Sequence, residues 1–330
     1  MSGNPSIVVL TPLKNDAWIL RRFLQVTSVF ADHILIADQG STDGGLEICR
    51  EFPKVTLIDN SASEYNEASR QELLIATARR LVPMPRILLA LDSDEILTAN
   101  SMTSDDWQTM LAAEPGTVVF FEKPNIYLTP ANVERRPLDF RGAFVDDDRS
   151  PHDARRVHSP RVPMPDGAPT LVLHDVKFLH YALARPEAQK AKIRMYALLE
   201  NLMGTKTAYW RRRYYWSRRV LRPLGPVEPT PPAWYAAWEE RGIDMTHIED
   251  VQPYWQDLAA LDLLIQHGSR RFWFDDVWEK DWRRLLAEHP RPGRVQPPPW
   301  LLLKSLDSAH SLLEFAASVR QRLFRSKLSV

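Results

Sequence analysis

The sequence predicts an α/β protein, a mainly parallel sheet with flanking helices continued by a helical, Trp-rich C-terminal extension. Three observations predict it. Short apolar runs alternate with helix-period segments through roughly the first 125 residues, the spacing of βαβ units. Three of those runs end in polar, acidic loops. Beyond them the alternation loosens, and the 26 prolines and 11 tryptophans of the 330-residue chain lie largely in the second half.

The elements follow in order. Ser6–Leu10 reads as a strand, and Ala17–Ser28 as a helix with Ile19, Leu20, Phe23 and Leu24 at helical spacing. His33–Ala37 is a second strand and Gly44–Glu51 a short helix. Val55–Ile58 is a third strand, followed by a helix over Glu67–Leu81 with Leu73, Leu74, Ala78 and Leu81 on one face. Arg86–Leu91 and Thr117–Phe121 are the fourth and fifth strands. Residues 129–170 read as a long irregular excursion, a length that is usually functional or mobile. A strand resumes at Val176–Tyr181, and Pro186–Met203 is a helix with proline at its start. The expected division is a catalytic domain over 1–204 and a helical extension over 205–330.

Lys plus Arg and Asp plus Glu are both 42, so the formal net charge is zero. The zero is a cancellation: residues 1–150 hold 14 basic and 22 acidic residues, and the remainder hold 28 and 20. A uniformly basic nucleic-acid binder and an acidic disordered tail are excluded. One cysteine, Cys49, excludes an internal disulfide and a cysteine metal cluster. No run approaches the roughly 20 apolar residues of a membrane span, and the N-terminus has no secretory signal pattern. The expected location is cytoplasmic, with peripheral contact on the inner face of a membrane.

In parallel sheets ligands bind beyond the carboxyl ends of the strands. Those ends carry Thr11-Pro12-Leu13-Lys14-Asn15-Asp16, then Asp38-Gln39-Gly40-Ser41-Thr42-Asp43-Gly44, then Asp92-Ser93-Asp94-Glu95. There is no G-x-G-x-x-G after the first strand and no phosphate-binding P-loop. Asp92 and Asp94, one residue apart after a buried strand, can reach one hard cation such as Mn²⁺ or Mg²⁺. A diphosphate leaving group needs such a cation to neutralise charge as its bond breaks.

Taken together, Thr11 through Asp16, Asp38 through Gly44, Asn66 through Arg70 and Leu91 through Glu95 resemble family-2 glycosyltransferases of the GT-A fold. The K-N-[E/D] and L-D-S-D-E forms look most like the subgroup that includes lipopolysaccharide-core β-glucosyltransferases. The resemblance covers residues 5–125 well and 170–205 weakly. It implies inverting transfer of a sugar from a nucleotide-diphosphate donor, with a divalent cation. Carried over, Thr11 and Asp16 line the nucleotide pocket, with Asp16 standing where the family commonly has the longer Glu. Asp38 hydrogen-bonds the base, and Arg70 sits near the nucleotide or its phosphates. Asp92 contacts the ribose or the metal's waters, and Asp94 binds the metal. His180, on a late strand, is a further metal or diphosphate candidate.

Inversion needs a general base. Asp146, Asp147, Asp148 and Asp153 lie in the irregular excursion, Asp166 and Asp175 also qualify by type, and Asp148 and Asp153 are the leading candidates. Residues 205–225 hold Lys206, Arg211, Arg212, Arg213, Arg218, Arg219 and Arg222 with interleaved Tyr and Trp and no acid. That pattern suits an anionic membrane surface or a lipid-linked saccharide acceptor, or a helix packed on its own protein; nucleic acid suits it less. The basic end of the last segment, with Arg320, Arg322, Arg325 and Lys327, is compatible with a membrane or a partner. The expected partners are therefore a nucleotide-sugar donor and a cell-envelope or other glycoconjugate acceptor. The rival readings are a nucleotidyltransferase and a non-catalytic GT-A-like interaction or membrane-docking protein.

Overall fold

The structure is a computed structural model; it describes residues 4–61, 66–135, 139–153, 159–204, 206–219 and 221–308. The strands are β1 (Ser6–Leu13), β2 (His33–Asp38), β3 (Val55–Asp59), β4 (Arg86–Ala90), β5 (Glu95–Leu97), β6 (Val118–Glu122), β7 (Asn125–Ile126), β8 (Asn132–Glu134), β9 (Asp139–Val145), β10 (Thr170–His180) and β11 (Val227–Pro229). The helices are α1 (Ala17–Phe30), α2 (Gly45–Arg50), α3 (Glu67–Leu81), α4 (Asp105–Leu111), α5 (Pro186–Met203), α6 (Ala208–Arg219), α7 (Ala236–Glu239), α8 (Trp255–Gln266) and α9 (Trp282–Glu288).

The strands form one sheet in the order β11-β8-β7-β10-β6-β9-β4-β1-β2-β3, with β5 paired to β10. The run β4-β1-β2-β3 is parallel throughout, and β6 and β10 are parallel to each other. Both faces of the parallel run are covered, which is why its strands read as unbroken apolar runs. Val9, Leu13, Ile34, Ile36, Ile87 and Leu89 pack with the inner face of α1. Their alternates Val8, Leu10, Leu35, Ala37, Leu88 and Ala90 pack with Leu74, Ile75 and Ala78 of α3. The α3 face is thus rotated from the expected one, and Leu81 is exposed. Burial of each such Leu or Ile is worth about 1.5–3 kcal/mol. This is the expected α/β architecture, with a helical C-terminal region.

The excursion over 129–170 is not wholly irregular. It contains β8 and β9, and β9 lies antiparallel between β4 and β6 in the middle of the sheet. Its register slips opposite Val119 and Phe120, where Gly142 forms a bulge. A Cβ at Gly142 would come within 2.6 Å of the Phe178 ring and 2.9 Å of Phe121, so only glycine fits there.

The chain divides into two compact units, and not at 204/205 as expected. The first is Met1–Pro186 with Pro223–Asp250; the second is Glu187–Arg222 with Val251 onward. The physical reason is where apolar surface is buried. Ile193, Ala197 and Leu198 of α5 share a core with Tyr215, Leu261, Leu264, Phe272 and Trp282, so α5 belongs to the second unit. Residues 223–250 return to the sheet unit, where β11 pairs with β8 and Trp234, Trp238 and Met245 complete its core.

The basic aromatic stretch is α6, and its arginines are largely committed within the second unit. Arg211 is buried and pairs with Asp275, Arg219 bonds Asp276 at 2.8 Å, and Arg212 bonds Asp307 at 2.7 Å. Arg320, Arg322, Arg325 and Lys327 lie outside the described residues. No described helix is long and apolar enough to cross a membrane.

Candidate active site at the carboxyl edge of the sheet

The loops after β1 and β2 are bound to each other before any ligand is considered. Lys14 Nζ donates to the carbonyls of Gln39 and Gly40, both at 2.7 Å. Asn15 adopts a left-handed conformation (φ 53°). There its N–H donates to Ser41 Oγ at 2.9 Å, and its Oδ1 accepts from the Thr42 N–H at 2.7 Å. Asp43 reaches across to accept from the Ala17 N–H at 2.8 Å and so caps α1. Asp38, nearly buried, accepts from the N–H groups of Gly40 (2.9 Å) and Ser41 (3.1 Å). It therefore holds the turn.

The D-S-D loop is tied into this frame through its middle residue. Ser93 donates its hydroxyl to Asp16 Oδ2 at 2.6 Å, and Trp18 donates to Asp16 Oδ1 at 3.3 Å. Arg70, in the first turn of α3, donates to Gln39 Oε1 at 2.9 Å, while its buried Nε has no partner among the described residues. Thr11 is fully buried, and its hydroxyl has no partner among the described residues. Asp16, Asp38, Arg70 and the D-S-D loop are thus brought to one edge, with Thr11 beneath it.

Asp92, Asp94 and Glu95 gather a second set of groups. Glu95 pairs in register with His180, and the Tyr181 N–H donates to the Asp94 carbonyl at 2.9 Å. Glu95 is fully buried and bridges Lys123 and Arg161. Burial pushes its carboxyl up, but the charges of Arg161 and Lys123 overcome burial and hold it well below the usual carboxylate range. Arg161 also pairs with Asp92.

Asp94 faces His180, with Oδ2 and Nε2 3.6 Å apart. The chemistry of that pair is set one shell behind it. Glu134 is buried, and its Oε1 accepts from the backbone N–H groups of Leu224 and Gly225. Its Oε2 is 2.8 Å from Asn125 Nδ2. A carboxylate accepts, so the Asn125 amide must present its NH₂ to Glu134 and its oxygen to His180. Asn125 Oδ1 lies 2.7 Å from His180 Nδ1, which must then carry the proton. Nε2 then faces the Asp94 carboxylate. A carboxylate and an imidazole are residue types that can hold a divalent cation, and an imidazole whose far nitrogen is held this way is the usual form of a metal-binding histidine. Among the described residues no group of three His, Cys, Asp or Glu could hold a metal. The remaining positions of a cation at Asp94 and His180 would fall to water or to a ligand's oxygens, as Mg²⁺ and Mn²⁺ accept.

The two general-base candidates separate. Asp148 lies at the wrong end of the sheet: the Asp146 N–H donates to the Arg86 carbonyl at the start of β4, and Asp148 pairs with Arg86. Asp146 itself is buried between Arg86 (2.6 Å) and Arg79 (2.8 Å) and belongs to the architecture. Asp153 is exposed, and the ring of the preceding residue, His152, is 2.5 Å from the Pro160 carbonyl.

The sequence alone gives no role to Glu95, Lys123, Asn125, Glu134 or Arg161. Lys123 and Asn125 follow the fifth strand, so the strand-end rule applied once more finds them. Arg161 carries no local signal.

No protein-family model matches the sequence, and comparison with curated proteins yields no match. Among solved structures the chain is similar to a glucosyl-3-phosphoglycerate synthase from Mycobacterium tuberculosis in complex with Mn²⁺, UDP and glucosyl-3-phosphoglycerate (14% identity, 37% of this chain and 44% of that one, TM-score 0.27). It is also similar to S. aureus TarS 1-349 (13% identity, 82% and 83% covered, TM-score 0.38). A third match is a 4-diphosphocytidyl-2C-methyl-D-erythritol synthase (11% identity, 43% and 76% covered, TM-score 0.30). The chain thus spans less than half of the synthase it matches, at 44% of that length. Likeness at this level leaves the function to be argued from the site itself.

Proposed function

We propose that the chain is a divalent-cation-dependent glycosyltransferase. It moves a sugar, with inversion, from a nucleoside-diphosphate donor to a cell-envelope or other glycoconjugate acceptor. The observation that carries this reading is the Asp94–His180 pair at 3.6 Å on the carboxyl edge of the sheet. Its imidazole is oriented by Asn125 and Glu134.

In this reading Asp94 and His180 hold Mn²⁺ or Mg²⁺, with Asp92 beside them. The cation supplies positive charge to the departing diphosphate. Asp16 and Asp38 shape the nucleotide side through the frame they hold. Arg70 supplies a buried N–H and Thr11 a buried hydroxyl that have no partner among the described residues. Asp153 is the base that takes the acceptor hydroxyl's proton. Membrane docking by α6 is not part of the proposal, because Arg211, Arg212 and Arg219 are paired inside their own unit.

The test is titration of a panel of nucleoside 5′-diphosphates with and without Mn²⁺, followed by calorimetry and thermal unfolding. Binding should require Mn²⁺ and disappear in Asp94→Asn. Nucleotide binding that ignores both the metal and that substitution would sink the reading.

A further inference from the structure

Arg161 neutralises more than Glu95 needs. Its guanidinium bridges Glu95 and Asp92 at once and lies over the Phe140 ring, 4.7 Å from its centroid. Glu95 already has Lys123, so it can lose Arg161 without becoming an uncompensated buried charge. Asp92 is different: among the described residues, Arg161 is the cation paired with it. The backbone around Arg161 is fastened to α3. Gln71 donates to the Arg161 carbonyl at 3.1 Å, and the Ser159 N–H donates to Glu67 at 3.0 Å. The anchor is therefore the main chain, and the long side chain is the part that can be redirected.

A divalent cation at Asp94 and His180 brings positive charge beside this guanidinium. The two repel unless an anion lies between them. A diphosphate is such an anion, and a planar guanidinium suits its oxygens.

We propose that Arg161 is an internal counter-cation that holds Asp92 in the ligand-free protein and passes to the donor's diphosphate when the divalent cation enters, making cation and nucleotide bind cooperatively. The proposal rests on the metal and nucleotide reading above. It adds a residue that sets the order and coupling of the two ligands.

Mn²⁺ binding, followed by the electron paramagnetic resonance signal of the free ion, tests it without turnover. In the wild type a nucleoside 5′-diphosphate should tighten Mn²⁺ binding markedly. In Arg161→Gln, Mn²⁺ alone should bind about tenfold more tightly, the order expected when one like charge leaves. The enhancement by nucleotide should shrink by a similar factor, because coupling is reciprocal. Arg161→Lys, which keeps the charge without the two-pronged bridge, should fall between and guards against a folding defect in the first variant. Unchanged Mn²⁺ affinity and unchanged coupling in Arg161→Gln, with the wild type binding Mn²⁺, overturn the counter-cation role and leave the metal site standing. No Mn²⁺ binding by either protein removes the metal site and this proposal together.

Discussion

The two compact units each contain a dense cluster of acids and arginines, and they use them in opposite ways. In the second unit Arg194 grips Asp257 through two bonds, Nε at 2.8 Å and Nη2 at 2.9 Å, with side chains only 4% and 0% exposed. Arg211 with Asp275, and Arg219 with Asp276, extend the same interior network. In the sheet unit the buried Glu95 is matched the same way, but the groups in front of it stay accessible. Asp92 is 33% exposed, and His180 and Asp94 are 21% and 18% exposed. A charge neutralised in the interior by fixed partners is architecture. A carboxylate and an imidazole held at an accessible edge are the groups to which the proposed function assigns the chemistry.

The largest effect should come from removing the accessible carboxylate. Asp94→Asn should lower metal-dependent transfer by about 10²–10³-fold, the scale of losing one electrostatic stabiliser of the departing charge. The thermal midpoint should stay near that of the wild type, because the residue lies at a loop edge. A large loss of stability with activity retained in the folded fraction would reverse the contrast between the two clusters.

Interior pairs should respond the other way, in stability rather than chemistry. Arg211→Met in the second unit leaves the buried Asp275 without its paired guanidinium, at a cost of about 3–5 kcal/mol, and Glu95→Gln in the sheet unit removes the buried acid that Lys123 and Arg161 share. Glu95 adds a pH signature. Its folded-state carboxyl is held below the unfolded value of about 4.3, so its contribution is complete above that value and is lost as pH falls toward the folded one. Urea unfolding of wild type and Glu95→Gln should therefore differ most near neutrality and converge in acid. A gap that does not change with pH would mean that Glu95 is not held ionised in the folded state.

A smaller, selective loss should follow from the residues behind the imidazole. Asn125→Leu removes the oxygen that receives the His180 Nδ1 proton, freeing the ring to take the other tautomer. Mn²⁺ affinity should drop by about 10–100-fold, as for other groups that orient metal-binding histidines. The Nδ1–H tautomer should also become less populated in long-range ¹⁵N spectra. A Mn²⁺ affinity equal to that of the wild type would mean that the relay from Glu134 through Asn125 does not orient the site.

How far the sequence reaches differs between the same two regions. The parallel core was legible because a strand buried on both faces reads as an uninterrupted apolar run, and Glu67–Leu81 and Pro186–Met203 agree with the expected helices to the residue. The strand-end rule pointed to Asp16, Asp38, Asp92 and Asp94, because that edge is fixed by strand direction alone, whereas Arg70 and His180 came from the family resemblance. Strand β9 was hidden because Gly142 and the slipped register break its alternation. That loss carried Asp148 to the wrong end of the sheet. Arg161 was invisible for another reason: its partners lie 66 and 69 residues away, and no local pattern encodes such a pairing. The arginines of α6 left a membrane surface and a packed helix both open, because their acids, Asp275 and Asp276, also come from a distant segment.

The smallest effect separates two arginines on one helix. Arg218 is exposed, and its guanidinium lies over the Tyr214 ring at 4.4 Å from the centroid. Arg218→Gln should cost about 0.5–1 kcal/mol, the value of an exposed cation–π contact. Arg211→Met, seven positions earlier, should cost several times more. Urea midpoints of the two variants measure the difference directly. If the two losses were equal, the pairing of Arg211 with Asp275 would not be an interior contact of greater worth than a surface one. The basic run of α6 would then return as a charged face in search of an anionic partner. If they differ as expected, the same residue type on the same helix is architecture at one position and solvated surface at another, and charge density alone could not have told them apart.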